Sequence, residues 1–180
     1  MILSEKNTQL IILDIQGKLA QIVHQHEEVI RNSCIAINGC RTLDIPIVWV
    51  EQLPEKLGAT HPDVANALSG ITPLSKSSFS AMRTPSIAEA VRNNNHKQVI
   101  LIGIETHICI YQTAVDLISL GYEVLVLTDA VSSRTESNKA IGLTMLQQAG
   151  AKLFSTEGLL FELLGDATHP KFKEIAKLVK

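Results

Sequence analysis

The sequence predicts a three-layer Rossmann-like α/β fold, with a central parallel sheet of five or six strands and helices on both faces. Short, continuous apolar runs such as V-I-L-I at 99–102 alternate with longer segments of helical periodicity. That alternation is typical of right-handed βαβ units whose sheet is buried on both sides. The chain has 180 residues, of which 46% are hydrophobic, enough for one sizeable core. We therefore expect a single domain over residues 1–180.

The predicted strands are the apolar runs at residues 8–15, 45–50, 99–102, 122–128 and 151–155. Pro46 lies at the start of the second run, where a strand tolerates proline. The first strand ends on Asp14, and the fourth is followed by Asp129. Ligands of parallel sheets bind outside the carboxyl ends of the strands. Both carboxylates are therefore candidates for the functional edge of the sheet.

The predicted helices cover residues 25–43, 62–68, 86–94, 136–149 and 171–179, with another that begins near Cys109. Pro62 suits the first turn of its helix, and Gly150 ends another. Residues 51–60 and 70–85 are expected to be loops. A loop as long as the second is usually functional or poorly ordered.

The stretch G-I-E-T-H-I-C-I-Y-Q-T-A at 103–114 links the apolar run at 99–102 to a largely apolar helix. Thr106 or the residue after it is a plausible N-cap, which places Cys109 in the first helical turn. Unpaired amides and the helix dipole favour a thiolate there, so we expect a lowered pKa for Cys109. A free cysteine is as often a small buried apolar residue, and position alone leaves both interpretations open.

Composition argues against several classes of function. A net charge of -2 disfavours general nucleic-acid binding and polybasic membrane association. Charged residues interrupt the longest apolar runs, so we expect no membrane span. The three cysteines are odd in number and unclustered, which suits free thiols and a cytoplasmic location. The sequence also lacks the glycine pattern of a P-loop or a dinucleotide site.

Several motifs in order resemble the cysteine hydrolases of the isochorismatase-like superfamily over nearly the whole chain. They are L-I-I-L-D-I-Q around Asp14, K-S-S-F-S-A-M from Lys76, the segment around Cys109, and G-Y-E-V-L-V-L-T-D-A-V-S-S-R at 121–134. The last part, S-T-E-G-L-L-F-E-L-L-G-D-A-T-H-P-K-F-K-E-I, is similar to the isochorismatase domain-containing subgroup that also occurs in animals.

The resemblance implies a catalytic triad of Asp14, Lys76 and Cys109. It also implies a cis peptide between Ile104 and Glu105, and an oxyanion hole formed by the amides of Glu105 and Cys109. The charged side chain of Glu105 must then point away from the developing negative charge.

We also consider Gln16, Trp49, Phe79 and His107 as residues of the substrate pocket. Core packing is the competing interpretation for the two aromatic residues. His107 is two residues from Cys109 on one helix and so points in another direction, which favours packing or pocket lining over a role as base. Asp129 is expected to anchor the turn at 132–134.

The sequence departs from the metal-dependent nicotinamidase branch, which the resemblance associates with an Asp-x-His pair after the second strand. That position reads W-V-E-Q-L-P, and His61 alone cannot form the site. We therefore expect no metal and no cofactor, with Glu51 and Gln52 as loop anchors.

Together these features predict a metal-independent cysteine hydrolase that cleaves a small amide, ureido or related C–N bond. A catalytically weak binding or scaffold protein and a redox-sensing thiol protein both stay open. A homo-oligomer is expected from the resemblance and from two apolar helical faces, one after Cys109 and one at Phe172, Ile175 and Val179. The substrate depends on the loops at 51–60 and 70–85.

Overall fold

A six-stranded, wholly parallel sheet forms the centre of the computed structural model, which describes residues 3–180. The strands lie in the order β3-β2-β1-β4-β5-β6. Their bounds are β1 Thr8–Leu13, β2 Ile47–Gln52, β3 Leu74–Lys76, β4 Gln98–Ile104, β5 Glu123–Ser132 and β6 Lys152–Phe154. This arrangement confirms the predicted fold class.

Helices cover both faces of the sheet. One face carries α1 Leu19–Ile22, α2 His26–Thr42, α4 Pro62–Ala67, α8 Thr156–Leu164 and α9 Phe172–Leu178. The other face carries α5 Pro85–Asn93, α6 Tyr111–Ser119 and α7 Glu136–Gln148. The short α3 Pro54–Leu57 and two 3₁₀ turns, Glu5–Asn7 and Ala81–Arg83, lie in connections, and a π-helical turn, Thr106–Ile110, precedes α6.

The continuous apolar runs arise because successive strand residues enter different cores. Leu10 and Ile12 of β1 belong to the cluster under α2, whereas Ile11 and Leu13 belong to the cluster under α5 and α6. Side chains alternate across a strand, so a strand buried on both faces needs apolar residues at every position.

The predicted loop at 70–85 contains the edge strand β3, which pairs in parallel with β2. Its three residues, L-S-K, carry no apolar pattern, and pairing with β2 provides their structure. A second element without a sequence prediction is α8, whose start is capped by the Ser155 side chain accepting a hydrogen bond from the Gly158 amide.

The apolar face of the closing helix α9 packs against the protein's own core. Ile175 is fully buried, and Phe172 meets Phe161 of α8 edge-on with ring centroids 6.0 Å apart. Phe172 and Val179 are half-buried against the same core, so this face leaves less apolar surface for a partner subunit than the sequence suggests. Within residues 3–180, no helix combines the length and the apolar character needed to cross a bilayer.

Gly103 lets β4 approach β1 immediately before the functional edge. Its φ is +124°, and a Cβ at this position would lie 1.9 Å from the carbonyl oxygen of Leu13. The pairing of β4 with β5 also shifts register between Leu101 and Gly103. A side chain here would push apart the two strands that carry the residues described below.

We expect Gly103→Ala to destabilise the fold by at least about 3 kcal/mol, because the methyl group overlaps backbone and the φ is unfavourable for alanine. The matched control is Gly70→Ala, where φ is +86° but no atom lies within 4 Å of the new methyl group. We expect about 1 kcal/mol there. Urea unfolding measures both, and equal losses would contradict the close-approach explanation.

Candidate active site

Asp14, Lys76 and Cys109 meet at the carboxyl edge of the sheet. Asp14 directly follows β1, Lys76 is the last residue of β3, and Cys109 lies in the π-helical turn after β4. The Lys76 Nζ is 2.7 Å from Asp14 Oδ2 and 3.6 Å from Cys109 Sγ. The structure thus brings together three residues that are far apart in the sequence.

Gln52 is a further member of the cluster. Its Oε1 accepts a short hydrogen bond from Lys76 Nζ, and its Nε2 donates to the Ser77 carbonyl oxygen at 2.8 Å. From sequence, Gln52 was expected to be no more than a loop anchor. Its position at the carboxyl end of β2, adjacent to β1, is the signal that could have identified it.

Asp14 has one oxygen engaged and one free. Its φ is +61°, and its amide donates to the Val50 carbonyl oxygen at 3.1 Å. The Oδ1 atom is buried and has no hydrogen-bond partner among the described residues. Burial raises the pKa of Asp14 above its ordinary value, although the Lys76 charge opposes the rise.

The turn that carries Cys109 is shaped by backbone hydrogen bonds. The Glu105 carbonyl oxygen accepts from the Ile108 amide at 3.1 Å and from the Ile110 amide at 3.3 Å. Glu105 is the residue preceding the turn, and its side chain makes no capping hydrogen bond. The expected N-cap at Thr106 or the next residue is therefore wrong, because the segment opens as a π turn with Thr106 already inside it.

The pKa of the Cys109 thiol moves in the opposite direction from the sequence expectation. Burial, followed by the negative charge of Asp14, raises the pKa of Cys109 to about 12, while the Lys76 ammonium lowers it only in part. Desolvation thus outweighs both the cation and the helix end. The raised pKa favours the protonated thiol over the thiolate.

The peptide bond between Ile104 and Glu105 is cis, at the position that the resemblance implied. The Glu105 Oε1 accepts hydrogen bonds from the Arg134 amide at 3.0 Å and from Arg134 Nε at 3.1 Å. The carboxylate is therefore held toward the chain that follows β5, and its charge is paired.

A cavity of about 110 Å³ adjoins Cys109. Asp14, Gln52 and Glu105 supply polar lining, and the remaining walls are apolar, from Leu19, Leu57, Phe79, Ile104 and Ile108. Phe79 thus lies where a pocket residue was expected. A larger groove of about 660 Å³ runs along α2, but its lining includes none of the three clustered residues, so the chemistry belongs to the smaller cavity.

Trp49 and His107 do not line this cavity. Trp49 packs against the core under α2, and its Nε1 donates to Thr60 Oγ1 at 2.9 Å. His107 places Nδ1 2.8 Å from Ser133 Oγ. The alternation of strand side chains directs Trp49 into the core, and helical geometry turns His107 away from Cys109.

Gln16 is likewise absent from the cavity wall. Its Nε2 donates to the carbonyl oxygens of Gln52 and Gly58, and its Oε1 accepts from the Gln52 amide at 2.7 Å. Through these hydrogen bonds Gln16 holds the end of β2 and the loop that follows it in place.

Two further acidic residues are structural anchors. Glu51 Oε1 accepts from the amide and hydroxyl of Thr60 at 2.9 and 2.6 Å, as expected of a loop anchor. Asp129 lies inside β5 and accepts from the amide and hydroxyl of Thr156, so it anchors the start of α8 rather than the turn at 132–134.

No group of three His, Cys, Asp or Glu side chains within residues 3–180 is placed to hold a metal ion.

Comparison with known proteins gives concordant matches. The family model of the isochorismatase domain matches residues 8–158. Isochorismatase domain-containing protein 2 of Danio rerio is 41% identical over 178 residues, covering 98% of this chain and 89% of that protein. The Homo sapiens protein of the same name is 35% identical, covering 95% of this chain and 82% of its own length.

Solved structures agree. The structure described as MAR1 ribonuclease from Caenorhabditis elegans superimposes with a TM-score of 0.93 at 37% identity, covering 99% of this chain and 92% of that one. The YcaC gene product of Escherichia coli, described as an octameric hydrolase of unknown specificity, also has a TM-score of 0.93, at 21% identity. It covers 99% of this chain and 89% of its own. At that identity the likeness concerns the fold.

We expect the Cys109 pKa to respond oppositely to the loss of its two charged neighbours. Asp14→Asn should lower the pKa from about 12, because it removes a negative charge, and Lys76→Met should raise it. The ultraviolet absorbance of the thiolate, taken as a difference from Cys109→Ala, reports the titration. A wild-type midpoint below the roughly 8.5 of a free thiol would contradict the burial argument.

Proposed function

The chain belongs to the isochorismatase family, whose members are generally hydrolases, and from this premise we propose a metal-independent cysteine hydrolase that cleaves a C–N bond in a small amide or ureido compound. The observation that carries the proposal is the contact of one buried cation, Lys76, with both Asp14 and the Cys109 thiol beside a cavity. A nucleophile, a base and an electrostatic partner then converge on one small space.

In the first half-reaction, Cys109 Sγ attacks the substrate carbonyl carbon while its proton passes to Asp14. Because the pKa of Cys109 is raised, the proton must leave as the S–C bond forms. Asp14 Oδ1 is buried without a partner among the described residues, and the raised pKa of Asp14 brings this base closer to neutral pH. The carbonyl π electrons move to oxygen, where the amides of Glu105 and Cys109 would stabilise the oxyanion.

The tetrahedral adduct then collapses and breaks the C–N bond. Asp14 returns its proton to the departing nitrogen, and a thioester with Cys109 is left. In the second half-reaction, Asp14 takes a proton from water, the water oxygen attacks the thioester carbonyl, and the S–C bond breaks. Asp14 passes that proton to the departing sulfur, so thiol and carboxylate are restored and the carboxylic acid product is released.

Lys76 and Gln52 position these groups. The Lys76 ammonium stabilises the charge as it moves between sulfur and carboxylate, and Gln52 holds the ammonium through its Oε1. Lys76 exchanges no proton in either half-reaction, so it acts through charge and orientation.

A redox-sensing role for Cys109 is less well supported. A protonated, buried thiol reacts slowly with peroxide, because the thiolate is the reactive form. Cys34 and Cys40 lie on α2, on the opposite face of the sheet from the helix that follows Cys109. All three cysteines are free thiols. The cytoplasmic location expected from the sequence stays a prediction.

A scaffold role and a ribonuclease activity are also less well supported than hydrolysis of a small molecule. A scaffold gives no reason for a buried cation between a carboxylate and a thiol. The C. elegans relative is described as a ribonuclease, but RNA binding depends largely on cationic contacts to phosphate. A net charge of -2 and a cavity of about 110 Å³ argue for a small molecule instead.

We expect Asp14→Asn to lower kcat by at least about 10²-fold, because asparagine keeps the shape but cannot take a proton. Cys109→Ala should abolish both turnover and the acyl-enzyme adduct seen by mass spectrometry with an activated ester. Asp129→Asn is the matched control, the same change at a carboxylate that anchors α8. Full activity in Asp14→Asn would show that the base is assigned wrongly.

A homo-oligomer is also expected, since the related YcaC protein is described as octameric. Leu120 and Ile141, on the α6 and α7 side, are both more than half exposed and are candidates for such an interface. Sedimentation at micromolar concentration should give a mass at least twice the 19.6 kDa of one chain. A single sedimenting species at 19.6 kDa would contradict this expectation.

A further inference from the structure

We propose, on the basis of the proposed function, that the acyl group this site accepts is short, aliphatic and uncharged. The juxtaposition that supports this is an apolar cavity beside Cys109 whose charged lining residues are both acidic. No cation lines the cavity among the residues described.

The size of the cavity limits the acyl group. Its volume is about 110 Å³. Ligand pockets for larger organic molecules usually measure about 300–1,000 Å³. A branched or linear acyl chain of a few carbons fits this space.

The walls select an uncharged chain. Five apolar side chains face the cavity, from Leu19, Leu57, Phe79, Ile104 and Ile108. A charged group placed against these five side chains loses its hydration without receiving a partner from them. An aliphatic chain loses only unfavourable contact with water.

The charges of the site make an anionic acyl group the least suitable. Asp14 and Glu105 are the charged lining residues, and a substrate carboxylate would meet both. Lys76 is not among the lining residues, and its ammonium is already shared by Asp14, Gln52 and Cys109. Arg134 pairs with Glu105 and does not line the cavity.

A cationic acyl group gains little charge attraction from the two carboxylates, because each is already paired with a cation. Lys76 neutralises Asp14, and Arg134 neutralises Glu105. With both carboxylates in ion pairs, the apolar walls disfavour either charge.

The mouth of the cavity leaves room for a leaving group. Phe79 is 55% exposed and Leu57 is 40% exposed, so both line the cavity and also reach the surface. The nitrogen-bearing part of the substrate can therefore extend outward between them, while the acyl part occupies the enclosed space beside Cys109.

The test compares three amides of similar size. They are 3-methylbutanamide, malonamate, whose carboxylate replaces the isopropyl group, and 3-aminopropanamide, which carries an ammonium. We expect kcat/KM for the neutral amide to exceed that for each charged amide by at least about tenfold. A malonamate or 3-aminopropanamide rate equal to or above the neutral rate would overturn the inference.

Leu57→Lys supplies a cation at the mouth and should reduce the preference for the neutral amide over malonamate by about tenfold or more. Asn93→Lys is the matched control, because it adds the same charge at an exposed residue at the end of α5 that does not line the cavity. It should leave the ratio unchanged. Equal effects of the two substitutions would show that the cavity charge does not set the preference.

The hydrolase proposal and the acyl-group inference fail in different ways. Acetylation of Cys109 by an activated acetate ester, detected by mass, reports the nucleophile independently of the amide panel. Absence of both the adduct and amide turnover would reject the hydrolase and the inference with it. An adduct together with preferred turnover of a charged amide would reject the inference alone.

Discussion

A lysine ammonium removed from water loses hydration worth several kcal/mol unless neighbouring groups replace it. The Lys76 side chain is 0% exposed, and its Nζ contacts Asp14, Gln52 and Cys109. One cation thus connects the carboxyl ends of β1 and β2 with the turn that follows β4. Removing any of these partners leaves a buried charge less well compensated, so the geometry of the whole site depends on Lys76.

The parallel sheet makes this convergence achievable. Every strand points its carboxyl end toward the same edge, so residues that follow β1, β2 and β4 become neighbours despite their separation in the chain. The close approach of Gly103 to Leu13 keeps β1 and β4 in register just before that edge. Gln16 and Glu51 then fix the loops behind the site through hydrogen bonds to backbone.

Burial has two effects on the chemistry of the site. It strengthens the attraction of Lys76 for both acids, and it also raises the pKa values of Asp14 and Cys109, because each charged form loses water. One positive charge is shared by two potential anions, and the raised pKa favours the protonated thiol. In the proposed mechanism, the thiolate therefore forms only as its proton passes to Asp14.

The sequence by itself determined five of the six strands, most helices, and the placement of Asp14 and Cys109 just after buried strands, because continuous apolar runs and helical periodicity are local patterns. Only the tertiary structure decided that Lys76 ends a strand, since L-S-K becomes β3 by pairing with β2 and has no pattern of its own. Likewise, the role of Gln52 and the core position of Trp49 follow from packing and strand alternation. The pKa of Cys109 was misjudged from sequence because it reflects desolvation, a sum over neighbours from distant segments that no local pattern encodes.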